Sequence, residues 1–119
     1  MQVQVNTDRN IEGREALAAH VSGVVKGALS RISDQVTRVE IHLTDESGPK
    51  SRQNDKRCTM EARIQGRKPL AVTHHAATLH QAVDGAAEKL TRLVESTIER
   101  LRDQRSRATA PPPQEPQEE

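Results

Sequence analysis

The order in which two hydrophobic periodicities follow one another constrains the fold of this chain more than any other feature. Apolar residues recur at three- and four-residue steps, as in amphipathic helices, over residues 12–32 and 78–103. Apolar and polar residues alternate, as in β-strands with one buried face, over residues 2–6, 36–44, 56–65 and 70–76. The predicted order is therefore strand, helix, three strands, helix.

This order predicts an α+β fold, a two-layer sandwich with the element sequence β-α-β-β-β-α. A strand-helix-strand start favours a right-handed crossover that places the first two strands parallel. The later strands are joined by hairpins, of which residues 66–69 form one, so the four-stranded sheet is mixed. The regular alternation of apolar and polar residues in the strands implies that one face of the sheet is exposed to solvent. Two helices suffice to cover the other face.

The chain is long enough for one domain, which we predict to span residues 1–104. Residues 105–119 form a Pro- and Glu-rich tail without apolar periodicity, and we predict that it is disordered. Three of the 17 acidic residues, Glu115, Glu118 and Glu119, follow the last arginine. The body is therefore more basic than the net charge of +1 suggests, which permits an anionic partner.

The composition excludes several functional classes. The chain has no Phe, Trp or Tyr, so its core is aliphatic and the usual platforms for base stacking are missing. The single cysteine, Cys58, cannot form an internal disulfide and fits a reducing compartment. We see no signal peptide and no apolar run long enough to span a bilayer, so we predict a soluble, cytoplasmic protein with no membrane partner.

Catalytic and metal-binding patterns do not stand out. There is no Gly-rich phosphate loop, no credible carboxylate pair and no nucleophile motif, so we predict that the chain is not an enzyme. His74 and His75 point to opposite faces of a strand and cannot readily share a metal with His80. We expect His74 to pack on the inner face, and we predict no metal and no cofactor.

Several short motifs carry a family resemblance over roughly residues 1–104. The first helix contributes Ile11-Glu12 and Glu15-Ala16-Leu17, and the second strand contributes Val39-Glu40-Ile41-His42-Leu43. The second helix contributes Thr78, Leu79, His80, Ala82, Val83, Asp84, Glu88, Lys89, Leu90 and Arg92. In these motifs the chain resembles the ribosome hibernation-promoting factor and ribosome-associated inhibitor family, also called sigma-54 modulation proteins, in its short form.

The resemblance implies a translation inhibitor that binds the small ribosomal subunit along the mRNA and tRNA channel in resting or stressed cells. It also implies that basic residues beside the helices and in loops contact rRNA phosphates. In this sequence the candidate nucleic-acid-binding residues are Lys26, Arg31, Lys56, Arg57, Arg67, Lys68, Lys89, Arg92 and Arg100.

The chain departs from the family pattern in its second helix, where Asp84, Glu88, Glu95 and Glu99 form an acidic ridge that would repel RNA. The first helix also carries few basic residues on its outer side. An alternative is therefore a diverged, non-ribosomal interaction module of the same fold. Such a module could form a homodimer through the open sheet face, or through an edge strand at residues 1–6 or 70–76.

Overall fold

The computed structural model describes residues 1–8, 11, 13–46 and 55–109, with side chains described to residue 104. It confirms the predicted order of strands and helices. The elements are β1 (Gln2–Thr7), α1 (Arg14–Ala28), β2 (Val36–Asp45), β3 (Lys56–Ile64), β4 (Leu70–Ala76) and α2 (Leu79–Thr109). A short 3-10 turn, Ser30–Ile32, connects α1 to β2.

The sheet is four-stranded and mixed, as predicted. Its strand order is β1-β2-β3-β4, with β1 parallel to β2 and the other neighbours antiparallel. The parallel first pair requires the crossover through α1, whereas the antiparallel pairs need only hairpins. The sheet is open, so β1 and β4 are its edges.

One face of the sheet carries the aliphatic core. Val39 pairs with Val3 on one side and Ala62 on the other, and Met60 pairs with Ile41 and Val72. Both helices pack on this face, α1 against β1 and α2 against β3 and β4. The largest fully buried side chains are Leu29, Ile41, Leu43, Met60, Leu90, Val21, Val25, Val36, Val39, Val83, Val94 and Cys58.

The first helix is shorter than its apolar stripe predicts. It starts after Gly13, whose φ of 64° lies in the left-handed region, and it ends at Ala28. Leu29 then leaves the helix at φ −101° and is buried in the core with 1% exposure. The apolar stripe extends to residue 32 in the sequence because the 3-10 turn keeps Leu29 and Ile32 on the side of the core.

The second helix is capped by Thr78. Its hydroxyl accepts a hydrogen bond from the Gln81 amide at 3.1 Å, which satisfies one free amide of the first turn. The helix runs to Thr109, beyond the predicted end at residue 103 and into the segment predicted as tail. Ile98 is the last buried residue among the described side chains of α2. The rest of the predicted tail, residues 110–119, lies outside the described part.

The other face of the sheet is open and charged. Arg38 lies directly opposite Arg63 on the neighbouring strand, and Glu40 lies opposite Glu61. The ion pairs instead run along each strand, from Arg38 Nε to Glu40 Oε2 at 3.2 Å and from Arg63 Nη2 to Glu61 Oε1 at 3.7 Å. Like charges across the strands are thus offset by opposite charges along them.

Candidate nucleic-acid interface

A groove between the β3–β4 hairpin and α2 gathers basic residues that are far apart in sequence. We call it the hairpin groove; it has a volume of about 470 Å³ and is lined by Gly66, Arg67, Lys68, Leu70, Thr97, Arg100 and Gln104. Gly66 adopts φ 77° at the turn, and the Arg67 amide closes the turn on the Ile64 carbonyl at 3.0 Å. The turn thereby places Arg67 and Lys68 beside Arg100.

The cations of the hairpin groove have no carboxylate partner among the described residues. Arg100 Nη2 donates to the Thr97 hydroxyl at 3.3 Å, and neither Arg67 nor Lys68 takes part in a described ion pair. Arg67, Lys68 and Arg100 are all solvent-exposed. Their charges are therefore available to an external anion.

Lys89 extends the basic surface along α2. Its ammonium group donates to the Thr73 carbonyl at 3.1 Å, so the side chain leans over the edge strand β4. Lys89 and Arg100 lie on the same flank of α2, because eleven residues at 100° each bring them back to within about 20°. Their Cα atoms are separated by roughly 16 Å along the helix axis.

Arg92 is not part of this surface, although it is one of the nine candidates predicted from the sequence. It pairs with Glu88 at 2.7 Å, and it lines a cleft between α1 and α2 with Val24 and Ala28. Arg31 is likewise held at 2.7 Å by Glu95 of α2. Both arginines thus neutralise the acidic ridge predicted on the back of α2.

The remaining acidic residues of that ridge are exposed. Asp84 lines the cleft between the helices, and Glu99 takes part in no described ion pair. Of the four acidic residues of the ridge, Glu88 and Glu95 therefore pair with arginines, whereas Asp84 and Glu99 take part in no described ion pair.

Two further candidates, Lys56 and Arg57, also face carboxylates. Lys56 Nζ lies 2.9 Å from Asp55 and 3.1 Å from Asp45, and hydrogen bonds to these two groups raise the pKa of Lys56. Arg57 Nη1 lies 3.9 Å from Glu46. These contacts fasten the start of β3 to the end of β2. The loop between them, residues 47–54, lies outside the described residues.

Lys26 stands apart from the other candidates. It is exposed in the last turn of α1, has no described ion-pair partner and does not line the hairpin groove. The structure therefore brings together Arg67, Lys68 and Arg100, extends them by Lys89, and leaves Lys26 on the other helix.

One cation near the groove was missed by the sequence reasoning. Arg102 is exposed on α2 and lines a neighbouring depression with Asp34 and Gln35. Continuing the helical wheel of α2 beyond Arg100 would have found it.

Three of the histidines make contacts between elements of the fold. His74 lies on the inner face of β4, as expected, where its ring packs against Gly85 of α2. The rings of His20 and His80 meet edge to face, with centroids 4.4 Å apart. Within the described residues, no three His, Cys, Asp or Glu side chains form a group that could hold a metal.

Cys58 has no character of a nucleophile. The residue is fully buried, and desolvation raises the pKa of its thiol from 9.0 to about 12. The thiol therefore stays protonated at neutral pH, and the thiolate needed for nucleophilic attack is absent.

The exposed cations give this surface a defined chemistry. Guanidinium and ammonium groups bind phosphate oxygens, and they release condensed counterions when they do so. Neither the hairpin groove nor the flank bearing Lys89 has a Phe, Trp or Tyr on which a base could stack. The surface suits a phosphate backbone better than exposed bases. No helix in the described part of the chain is long and apolar enough to cross a membrane.

Comparison with known structures shows where else this fold occurs. The N-terminal domain of Protein Y from Thermus thermophilus has a TM-score of 0.65 and 22% identity, over 82% of this chain and 99% of that one. A ribosomal subunit interface protein from Coxiella burnetii has a TM-score of 0.62 and 14% identity, over 83% and 99%. At these identities the likeness establishes the shared fold.

Comparison with curated proteins gives no significant match. The sequence model of one family does match, and it covers residues 4–102, which include both helices to within the last turns of α2 and nearly all of the sheet. The chain therefore belongs to the Sigma 54 modulation protein / S30EA ribosomal protein family.

Proposed function

We propose that this protein binds the small ribosomal subunit along the mRNA and tRNA channel and blocks translation in resting cells. Family membership supports association with ribosomes, and hence action in the cytoplasm. The similar structure from Coxiella burnetii carries the description of a ribosomal subunit interface protein. The contact is made to rRNA phosphates rather than to bases.

One observation carries this proposal: the hairpin groove concentrates positive charge that no described carboxylate pairs. Arg67, Lys68 and Arg100 converge there without a described carboxylate partner. By contrast, Arg31, Arg57 and Arg92 all have glutamate partners within 4.0 Å. Within the described part of the chain, RNA binding at the groove therefore breaks no intramolecular ion pair.

The division between free and paired cations ranks the nine candidates. Lys89 joins the groove as a second contact point, because its carbonyl hydrogen bond can be exchanged for one to a phosphate oxygen. Lys26 provides a separate contact on α1. Lys56 acts within the sheet and is the weakest candidate, since two carboxylates already surround its ammonium group.

The test compares two triple variants that remove the same charge. R67Q/K68Q/R100Q neutralises the groove, and R31Q/R57Q/R92Q neutralises three cations that already have acidic partners. Binding of labelled protein to purified small subunits is measured from low to high salt. The groove variant should bind at least about tenfold more weakly, with a salt slope shallower by roughly two to three.

The control triple variant should lose clearly less affinity than the groove variant, because its three cations lie outside the groove and beside glutamates. Equal losses in the two variants would show that net charge alone governs binding and that the groove is not the site. If the unmodified protein fails to bind small subunits even at low salt, the alternative of a non-ribosomal interaction module replaces this proposal.

A further inference from the structure

The two edges of the sheet are protected to different degrees. At the β4 edge, Lys89 from α2 reaches over the strand and occupies the Thr73 carbonyl at 3.1 Å. Pro69, which precedes the strand, has no amide hydrogen to offer a partner. A lysine and a proline are two common means by which proteins prevent an edge strand from pairing with another chain.

The β1 edge has neither protection. Its sequence, Gln-Val-Gln-Val-Asn-Thr, contains no charge, proline or glycine. The Asp8 amide donates to the Leu43 carbonyl of β2 at 3.0 Å, which fixes the direction of alternate backbone groups along the strand. By this alternation the amide and carbonyl groups of Val3, Val5 and Thr7 point outward, away from β2.

We propose that β1 pairs with β1 of a second copy of this chain, forming a homodimer with one continuous sheet. The strands run antiparallel about a two-fold axis at Gln4, which places Gln4 opposite Gln4 of the partner subunit. Val3 then lies opposite Val5 of the partner subunit, and each such pair exchanges both backbone hydrogen bonds. The half-buried Val3 and Val5 side chains become more fully covered on the core face.

The flank of α1 above this edge is complementary to itself. His20 contacts His80, and Val24 lines the cleft with α2, so these residues mark the side of α1 that faces α2. At 100° per residue, the opposite flank carries Glu15, Ala19, Ser22 and Lys26.

In an antiparallel pair of α1 helices, Glu15 faces Lys26 of the partner subunit, and Ala19 faces Ser22 of the partner subunit. Glu15 and Lys26 are exposed, and neither has an ion-pair partner among the described residues. The small residues between them allow the helices to approach closely. The same two-fold symmetry that pairs the valines in the sheet therefore joins opposite charges in the helix layer.

This interface combines one strand pair with one helix flank, so the dimer dissociates on dilution. Light scattering after gel filtration should give a mass that rises with concentration from 13.2 kDa towards twice that value. A constant mass of 13.2 kDa at concentrations up to about 1 mM would overturn the proposal.

A cysteine introduced at position 4, on the proposed two-fold axis, tests the register of the paired β1 strands. Directly opposed residues in a non-hydrogen-bonded pair have Cα atoms about 4.5 Å apart, within the range of a disulfide. Under mild oxidation, Q4C should therefore form a covalent dimer, while Cys58 remains buried and unreactive. The matched control is A71C, an exposed position on β4 at the other edge. Cross-linking of A71C as fast as Q4C would refute the assigned edge.

Charge exchange tests the helix flank. E15K and K26E each place like charges together across the two-fold axis and should weaken dimerisation about tenfold. The double variant E15K/K26E restores the pairing and should dimerise like the unmodified chain. Failure of the double variant to recover would overturn the helix arrangement. These experiments use no ribosomes, so their outcome is separate from that of the proposed function.

Discussion

Gly85 of α2 lies directly against the imidazole ring of His74 in β4, and a methyl group added at Gly85 would overlap that ring. The contact sets how closely the helix approaches the edge strand. A glycine in the middle of a helix usually lowers its stability, by roughly 1 kcal/mol relative to alanine. Here the absence of a side chain makes room for the histidine.

G85A should therefore destabilise the protein by about 1–3 kcal/mol, although alanine is the better helix former. The added methyl group forces His74 or the helix to move, and the surrounding core is aliphatic and tightly packed. Chemical denaturation followed by circular dichroism measures the change. The double variant H74A/G85A should regain part of the loss, because the clash is removed.

Gly23 provides the matched control for that substitution. It also lies within a helix, but a Cβ atom there would meet nothing within 4 Å. G23A should stabilise the protein by about 0.5–1 kcal/mol. A stabilising G85A, or a destabilising G23A, would contradict this interpretation of the two positions.

Under the proposed function, removing the partner of Arg31 should strengthen binding to small ribosomal subunits. E95Q frees the guanidinium, which is 81% exposed and currently held at 2.7 Å by Glu95. Affinity at low salt should rise about three- to fivefold, and the free energy of unfolding should change by less than about 1 kcal/mol. Titration of labelled protein with purified subunits gives the first quantity and urea denaturation gives the second.

E99Q is the control for E95Q, because it removes the same negative charge from a residue that takes part in no described ion pair. It should raise affinity by less than E95Q does. Identical gains in the two variants would mean that only the total charge of α2 matters.

Cys58 should resist thiol reagents in the native protein and react only on unfolding. Burial raises the pKa of the thiol to about 12, so the unfolded chain ionises first as the pH rises. The corresponding stability is fully present below pH 9 and is lost as the pH rises towards 12, by roughly 3 kcal/mol at pH 11. Denaturation curves of C58A should lack this component, and rapid labelling of the native thiol at pH 8 would refute the assignment.

The contribution of the Thr78 cap of α2 to the free energy of unfolding should also be measurable. Thr78 accepts the Gln81 amide hydrogen bond at 3.1 Å, and T78A removes that acceptor. The expected loss is about 1 kcal/mol of unfolding free energy. T78S keeps a hydroxyl oxygen in the same place and should stay within about 0.5 kcal/mol of the unmodified protein, whereas a serine variant as unstable as T78A would exclude a capping role.

Periodicity was sufficient to predict the fold, because the strands and helices here have uninterrupted patterns. Val39, Ile41 and Leu43 alternate inward as predicted, and His74 follows Leu70 and Val72 onto the inner face of β4. Helix ends were predicted less well. Leu29 fits the apolar stripe of a helix, yet it reaches the core from a turn after α1 ends at Ala28.

The candidate surface required three-dimensional information. Sequence can identify the pair Glu88 and Arg92, which lie one helical turn apart. It cannot identify the pair Arg31 and Glu95, which are 64 residues apart. Gly85 is recognisable as a helix glycine, but its reason for being glycine is a side chain on another element. Beyond such one-turn pairs, whether a cation is free or paired depends on contacts between elements that no local pattern contains.

The end of α2 beyond Ile98, the last buried residue among its described side chains, affects the rate of amide exchange. Arg100, Arg102 and Gln104 are exposed and Leu101 is only half-buried, so few core contacts hold residues 99–104 against fraying. Its amides should exchange with solvent faster than those around Leu90 and Val94. Arg100 of the hairpin groove is therefore carried on a helix end that can unwind and rewind while the rest of the fold stays intact.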